Sequence, residues 1–176
     1  MPVLMPFTEN GLSVHFPDNN TFRLSDCRAH IAIKSKSVKE MDIGWFDTVS
    51  NTLWLVELKA FHNPDNILHS TKDLSKSAIV DRVIEDLLLK SIHTICQVNT
   101  DRAGTMSCLP QPLEKSTFIK VVHLIRTMPG QDDYLNPMQD KLRVKLSPLI
   151  AIFNIHSVTI ISYDNAVSKN LLPWVV

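Results

Sequence analysis

Val38-Lys39-Glu40-Met41-Asp42-Ile43-Gly44-Trp45-Phe46-Asp47, followed by Leu53-Trp54-Leu55-Val56-Glu57-Leu58-Lys59, decides the reading of this chain. Two short segments, alternating or wholly apolar, are parted by Thr48-Val49-Ser50-Asn51-Thr52, and the pattern predicts consecutive strands of a hairpin. Strand side chains point to alternate faces, so Asp42 shares a face with Glu40 and Gly44, while Leu55, Glu57 and Lys59 share one on the next strand. Two acids and a lysine can therefore converge. Charge in the middle of a strand is unfavourable unless it is paired or holds a metal, and a sheet needing only stability would carry Val or Ile there. The simpler alternative is a solvated hairpin with a cross-strand Asp/Lys or Glu/Lys pair. The apolar flanks of both segments argue against it.

Working outward, residues 1–20 read as an irregular N-terminal segment broken by Pro2, Pro6, Gly11 and Pro17, and the core runs over about 21–165 of one 176-residue domain. Thr21 to Cys27 and Ala29 to Ile33 each read as a strand or part of one. From Leu74 to Val98 the spacing turns helical, with Ile79, Val83 and Leu87 as the apolar stripe, Arg82, Glu85, Asp86 and His93 on the opposite side, and Lys76 and Lys90 at the two ends of the stripe. Either lysine can snorkel from the rim of a core-facing helix or contact a phosphate. Phe118 to Ile125 predicts a strand buried on both faces. Asp132 to Phe153 reads as a helix cut into pieces by Pro137 and Pro148, and Ser157 to Tyr163 as a final strand. The expected fold class is α/β, a central mixed β-sheet flanked by helices.

Eighteen basic residues balance eighteen acidic ones, so binding to a polyanion must come from a local patch rather than from overall charge. Cys27, Cys96 and Cys108 lack a C-x-x-C spacing and predict reduced thiols of a cytoplasmic protein. The N-terminus has no basic n-region, predicting no signal peptide, and no apolar run approaches a membrane span. The seven histidines show no zinc-enzyme spacing, and the phosphate-binding glycine motifs are absent. Trp45 and Phe46 beside Asp42 could stack on bases, although a core role for at least one is the simpler reading.

Asp42, fourteen intervening residues and Glu57-Leu58-Lys59, with the apolar lead-in Leu53 to Val56, resemble the PD-(D/E)XK phosphodiesterase superfamily, nucleases with a restriction-endonuclease-like core. The resemblance covers residues 38 to 98, with Met41 where the family's proline stands. It implies that Asp42 and Glu57 bind magnesium, with manganese as a substitute, that the Leu58 carbonyl adds a ligand, and that Lys59 orients or activates the attacking water. It also implies that the helix after the E-x-K strand packs beside the site, which favours Lys76 as a nucleic-acid contact. The family's first helix often brings another acid; Glu9 and Asp26 are the candidates here. Glu40, two residues before Asp42, could reach the metal through water. Hydrolysis of a phosphodiester needs charge neutralised on the phosphoryl oxygens and a nucleophilic water near neutral pH, and a hard cation on carboxylates supplies both. The expected activity is a metal-dependent endonuclease acting on DNA, with RNA open, and no membrane partner. A homodimer is expected through the apolar tail Leu171 to Val176, with a further protein subunit as another partner. The alternative is a silent nucleic-acid-binding or subunit-assembly domain on the same fold.

Overall fold

Asn51 adopts a left-handed conformation (φ 48°) that its short polar side chain tolerates, and Asp47 Oδ1 accepts from the Val49 amide at 3.0 Å. These two residues close the turn between β4 (Ile43–Asp47) and β5 (Thr52–Ala60). The computed structural model describes residues 6–61, 76–102 and 109–176, and the hairpin is the centre of an α/β architecture. Five strands stand in the order β3-β4-β5-β6-β7, with β3 (Thr21–Phe22), β6 (Phe118–Arg126) and β7 (Ile155–Ser162) completing the sheet. The β3/β4 and β4/β5 pairs are antiparallel, β5/β6 and β6/β7 parallel. A separate two-stranded sheet pairs β1 (Phe7–Glu9) with β2 (Leu12–Val14).

Both parallel connections contain helices, α2 (Lys76–Arg102) and α3 (Leu135–Phe153), as parallel pairing requires. Ile84, Leu87, Ile95 and Val98 of α2 and Leu142 and Leu146 of α3 bury one face of the sheet against Leu53, Leu55, Val121 and Ile160. The other face is covered by chain ends. Leu12, Val14 and Phe16 from the N-terminus and Trp174 and Val175 from the C-terminus pack on Ile43, Trp45, Val56, Leu58 and Leu124. With both faces covered, β6 reads as the near-continuous apolar run that the sequence displays.

Several expectations change. Residues 7–14 are not irregular: their β1/β2 hairpin delivers fully buried Leu12 and Val14. Ala29 to Ile33 is helical, in α1 (Arg28–Ile33), rather than a strand. Residues 38–42 lead into β4 without being part of it. The α3 helix runs unbroken through both prolines. Pro137 lies in its first turn, where the missing N–H has no intrahelical partner to lose, and the carbonyl of Val144 that Pro148 cannot serve accepts instead from Ser147 Oγ at 2.8 Å. Asn154 ends this helix in the left-handed conformation (φ 53°). The tail from Leu171 to Val176 is spent on the chain's own core, with Leu172, Trp174 and Val175 buried and Val175 bridged to Val14. Leu171 and Val176 of the same tail stay exposed. Cys27 is disulfide-bonded rather than a reduced thiol, while Cys96 is free and exposed; the disulfide removes the ground for a reducing, cytoplasmic setting. Among the described residues no helix is long and apolar enough to cross a membrane. Trp45 and Phe46 are both core residues.

Gly44 lies opposite Phe22, and a Cβ there would come within 2.2 Å of the Phe22 ring. Gly44→Ala should therefore displace that ring and destabilise the protein by about 1–3 kcal/mol. Urea denaturation measures this, and an unchanged midpoint would show that Phe22 does not hold β3 against β4.

Candidate active site

The β4/β5 ladder ends at Ile43 opposite Val56. One step further the chains diverge, and side chains replace the lost strand bonds of Leu58. Its amide donates to Asp42 Oδ2 at 2.7 Å, and its carbonyl accepts from Asn10 Nδ2, in the β1/β2 turn, at 2.8 Å. The register carries Asp42 opposite Glu57, so both carboxylates reach the helix-covered face. There Lys90 of α2 sits between them, its Nζ 2.6 Å from Glu57 Oε1 and 3.6 Å from Asp42 Oδ1. Asp42 and Glu57 thus share one cation, and that cation is an ammonium.

Glu57 is almost wholly buried, and its second oxygen, Oε2, is buried without a hydrogen-bond partner. Burial and the neighbouring Asp42 charge push its carboxyl up to about 8, against the pull of Lys90. Asp42 is raised too, by burial in the first place and also by the Glu9 charge, while Lys90 and the Leu58 amide oppose. Burial alone would lower the Lys90 ammonium, but Glu57 and Asp42 outweigh it and hold it protonated. The Glu9 charge reaches Asp42 from the N-terminal hairpin, whereas no such influence from Asp26 is seen at the pair.

Lys59 shares the face but not the contact. Its Nζ lies 2.5 Å from Asp86 Oδ2, and Lys39 Nζ lies 2.5 Å from Asp86 Oδ1. Burial would raise the Asp86 carboxyl, yet the hydrogen bonds from the two lysines bring it down to about 2. On β6, His123 lies opposite Glu57. Ser91 Oγ spends its proton on the Leu87 carbonyl at 2.8 Å, so His123 Nε2 donates to Ser91 at 3.0 Å and the imidazole Nδ1 is left buried without a partner. Burial, then the positive charges of Lys90 and Lys59, push this imidazole down to about 3.

The sequence-predicted residues therefore divide. Asp42 and Glu57 meet, and Lys59 stands beside them tied to Asp86. Glu40 is paired with His30, 3.1 Å from its Nε2. The side chain of Lys76, and all of His62 and His69, lie outside the described residues. Lys90, Asp86, Asn10 and His123 complete the site without having been singled out for it. The helix was misread by a rotation: its buried stripe is Ile84, Leu87, Ser91, Ile95 and Val98, which sets Asp86 and Lys90, one turn apart, on the edge facing the carboxylates. The i,i+3/i+4 alternation of that stripe is the signal that would have found them.

Asp42 and Glu57 fit a hard divalent ion: they are oxygen donors, they already flank a cation, and Glu57 Oε2 is bare. The Leu58 carbonyl keeps one lone pair beside its bond from Asn10. Magnesium takes one or two carboxylates and keeps its remaining waters, which matches a pair rather than a cage. Among the described residues no group of three or more His, Cys, Asp and Glu side chains is placed to hold a metal. Comparison of the chain with protein-family models, curated proteins and solved structures gives no match.

Proposed function

We propose that this chain is a metal-dependent nuclease of the PD-(D/E)XK kind, on a restriction-endonuclease-like core, hydrolysing phosphodiester bonds of DNA or RNA. The observation that carries the reading is the buried pair Asp42 and Glu57, converging on one cation with a carboxylate oxygen to spare. Two acids that burial raises together, Glu57 also by the Asp42 charge and Asp42 also by the Glu9 charge, are disfavoured as structure alone, and such perturbation marks functional sites.

Asp42 and Glu57 would hold magnesium or manganese, with the Leu58 carbonyl beside them. When bound, the ion supplies charge neutralisation at the phosphoryl group and an activated water. The chain does the rest. Asn10 and Asp42 clamp Leu58 from its carbonyl and its amide, fixing the strand end. Asp86 pins Lys59 near the pair, where its ammonium can orient a water or a phosphoryl oxygen. Lys90 compensates the charge of the two carboxylates.

The Lys90 ammonium between the acids favours one second reading, a silent nucleic-acid-binding domain whose cation site is filled from within. Labelled duplex DNA, single-stranded DNA and RNA, incubated with magnesium, manganese or chelator, separate the two. Cleavage that needs metal and disappears in Glu57→Ala supports the nuclease. Wild type inert with every metal and substrate sinks it in favour of the silent domain.

A further inference from the structure

Beside the carboxylate pair opens a cavity of about 340 Å³, lined among others by Arg23, Ser25, Lys39, Asp42, Asp86 and Lys90. Its volume lies at the lower end of small-molecule clefts, about 300–1,000 Å³. Its charge is divided. At one end Asp42, with Glu57 behind it, faces Lys90. Asp86 in turn serves two lysines at once, Lys39, which lines the cavity, and Lys59, which does not, so one positive charge is left over around it. Arg23 adds another, since among the described residues its guanidinium meets no carboxylate and rests over the Phe7 ring at 5.2 Å from the centroid. Glu40 also lines the cavity, but its carboxylate is directed at His30.

A basic end adjoining an acidic, cation-binding end suits a ligand that carries a phosphate at one point and a scissile or metal-bound phosphoryl group at the next. We propose that this cavity is a nucleotide subsite, which takes one phosphate-bearing nucleotide unit of a single strand, with Arg23 and Lys39 on its phosphate and Ser25 offering a hydroxyl hydrogen bond. A cavity of this volume takes a single unit, and a unit paired and stacked in a duplex would have to leave the helix to enter it. The chain's net charge of zero leaves no general attraction for any polyanion, so the contact with phosphate has to be local, as Arg23 and Lys39 make it. The inference deepens the nuclease reading by naming its substrate as single-stranded or frayed nucleic acid, and it rests on that reading only for what happens after binding.

The test uses the whole chain without metal, titrated calorimetrically with a nucleoside 5′-monophosphate, the corresponding nucleoside and inorganic phosphate. The monophosphate should bind, more tightly than either part. Arg23→Ala should weaken it about tenfold, the loss of one charge-assisted phosphate contact, with Arg23→Lys recovering part of the loss. Arg23 is exposed, so folding should be kept; Lys39→Ala, 44% exposed, gives a second variant, checked by its melting curve. Failure of the monophosphate to bind wild type, or wild-type affinity kept in both Arg23→Ala and Lys39→Ala, overturns the subsite. Binding that follows these expectations in a protein that cleaves nothing keeps the subsite and sinks only the nuclease. Cleavage of duplex and single strands at equal rates, unaffected by Arg23→Ala, keeps the nuclease and sinks the subsite.

Discussion

Glu57→Gln should abolish metal-dependent cleavage, with a fall of about a thousandfold or more, equivalent to about 4 kcal/mol of transition-state stabilisation. The amide keeps the shape, and its oxygen can still accept from Lys90, but it loses the charge that a hard cation requires. The same variant should change how stability depends on pH. The Glu57 carboxyl stands at about 8 in the folded chain against an ordinary value of 4.5. Between those values the folded state holds a proton that the unfolded state has released, so stability falls as pH rises. His123, at about 3 in the folded chain against 6.5, acts in the opposite sense below 6.5, because there the unfolded state binds the proton. The window from 6.5 to about 8 therefore belongs to Glu57 alone of these two groups. Wild type free of metal should lose about 1–2 kcal/mol across it, and Glu57→Gln should be flat. Urea titrations at several pH values, with chelator present, measure both slopes. A wild-type stability that rises through that window would mean that Glu57 is ionised in the folded chain and that the acid pair is not under strain.

Lys90→Met should have the second large effect, and in two directions at once. Without metal the variant loses the ammonium that compensates Asp42 and Glu57, and stability should drop by about 3 kcal/mol, the loss that follows removal of one partner from a buried pair. With magnesium or manganese the loss should be recovered, because a ligand that binds only the folded state stabilises it by mass action. Divalent affinity should rise at least about tenfold, since a competing positive charge within 4 Å of both acids is gone. Manganese titration and thermal melts with and without metal read the two effects separately. Unchanged stability together with unchanged affinity would show that Lys90 does not compensate the acids and that no cation competes with it.

The acid pair was legible because strand periodicity is local. Asp42 and Glu57 could be assigned to one face from alternation alone, and a hairpin turn of Asp47 to Asn51 sets their register without reference to the rest of the chain. The helix partners were not legible in the same way. Lys90 lies 33 residues beyond Glu57, and whether it snorkels to solvent or turns to the acids depends on how α2 is rotated over the sheet. A stripe counted in steps of four drifts around the helix, and that drift placed Asp86 on the wrong side.

By itself the sequence determined the class of the fold, the antiparallel β4/β5 pair, the buried β6 strand and the two acids that share a face, because each follows from side-chain period and turn chemistry over a few residues. Only the tertiary structure decided which cation meets those acids, that Lys59 is held by Asp86, that Asn10 reaches the Leu58 carbonyl, and that Leu12, Val14, Phe16, Trp174 and Val175 join one core cluster. Those contacts join residues far apart in the chain, where charge pairing and burial, summed over the whole packed molecule, outweigh any local preference.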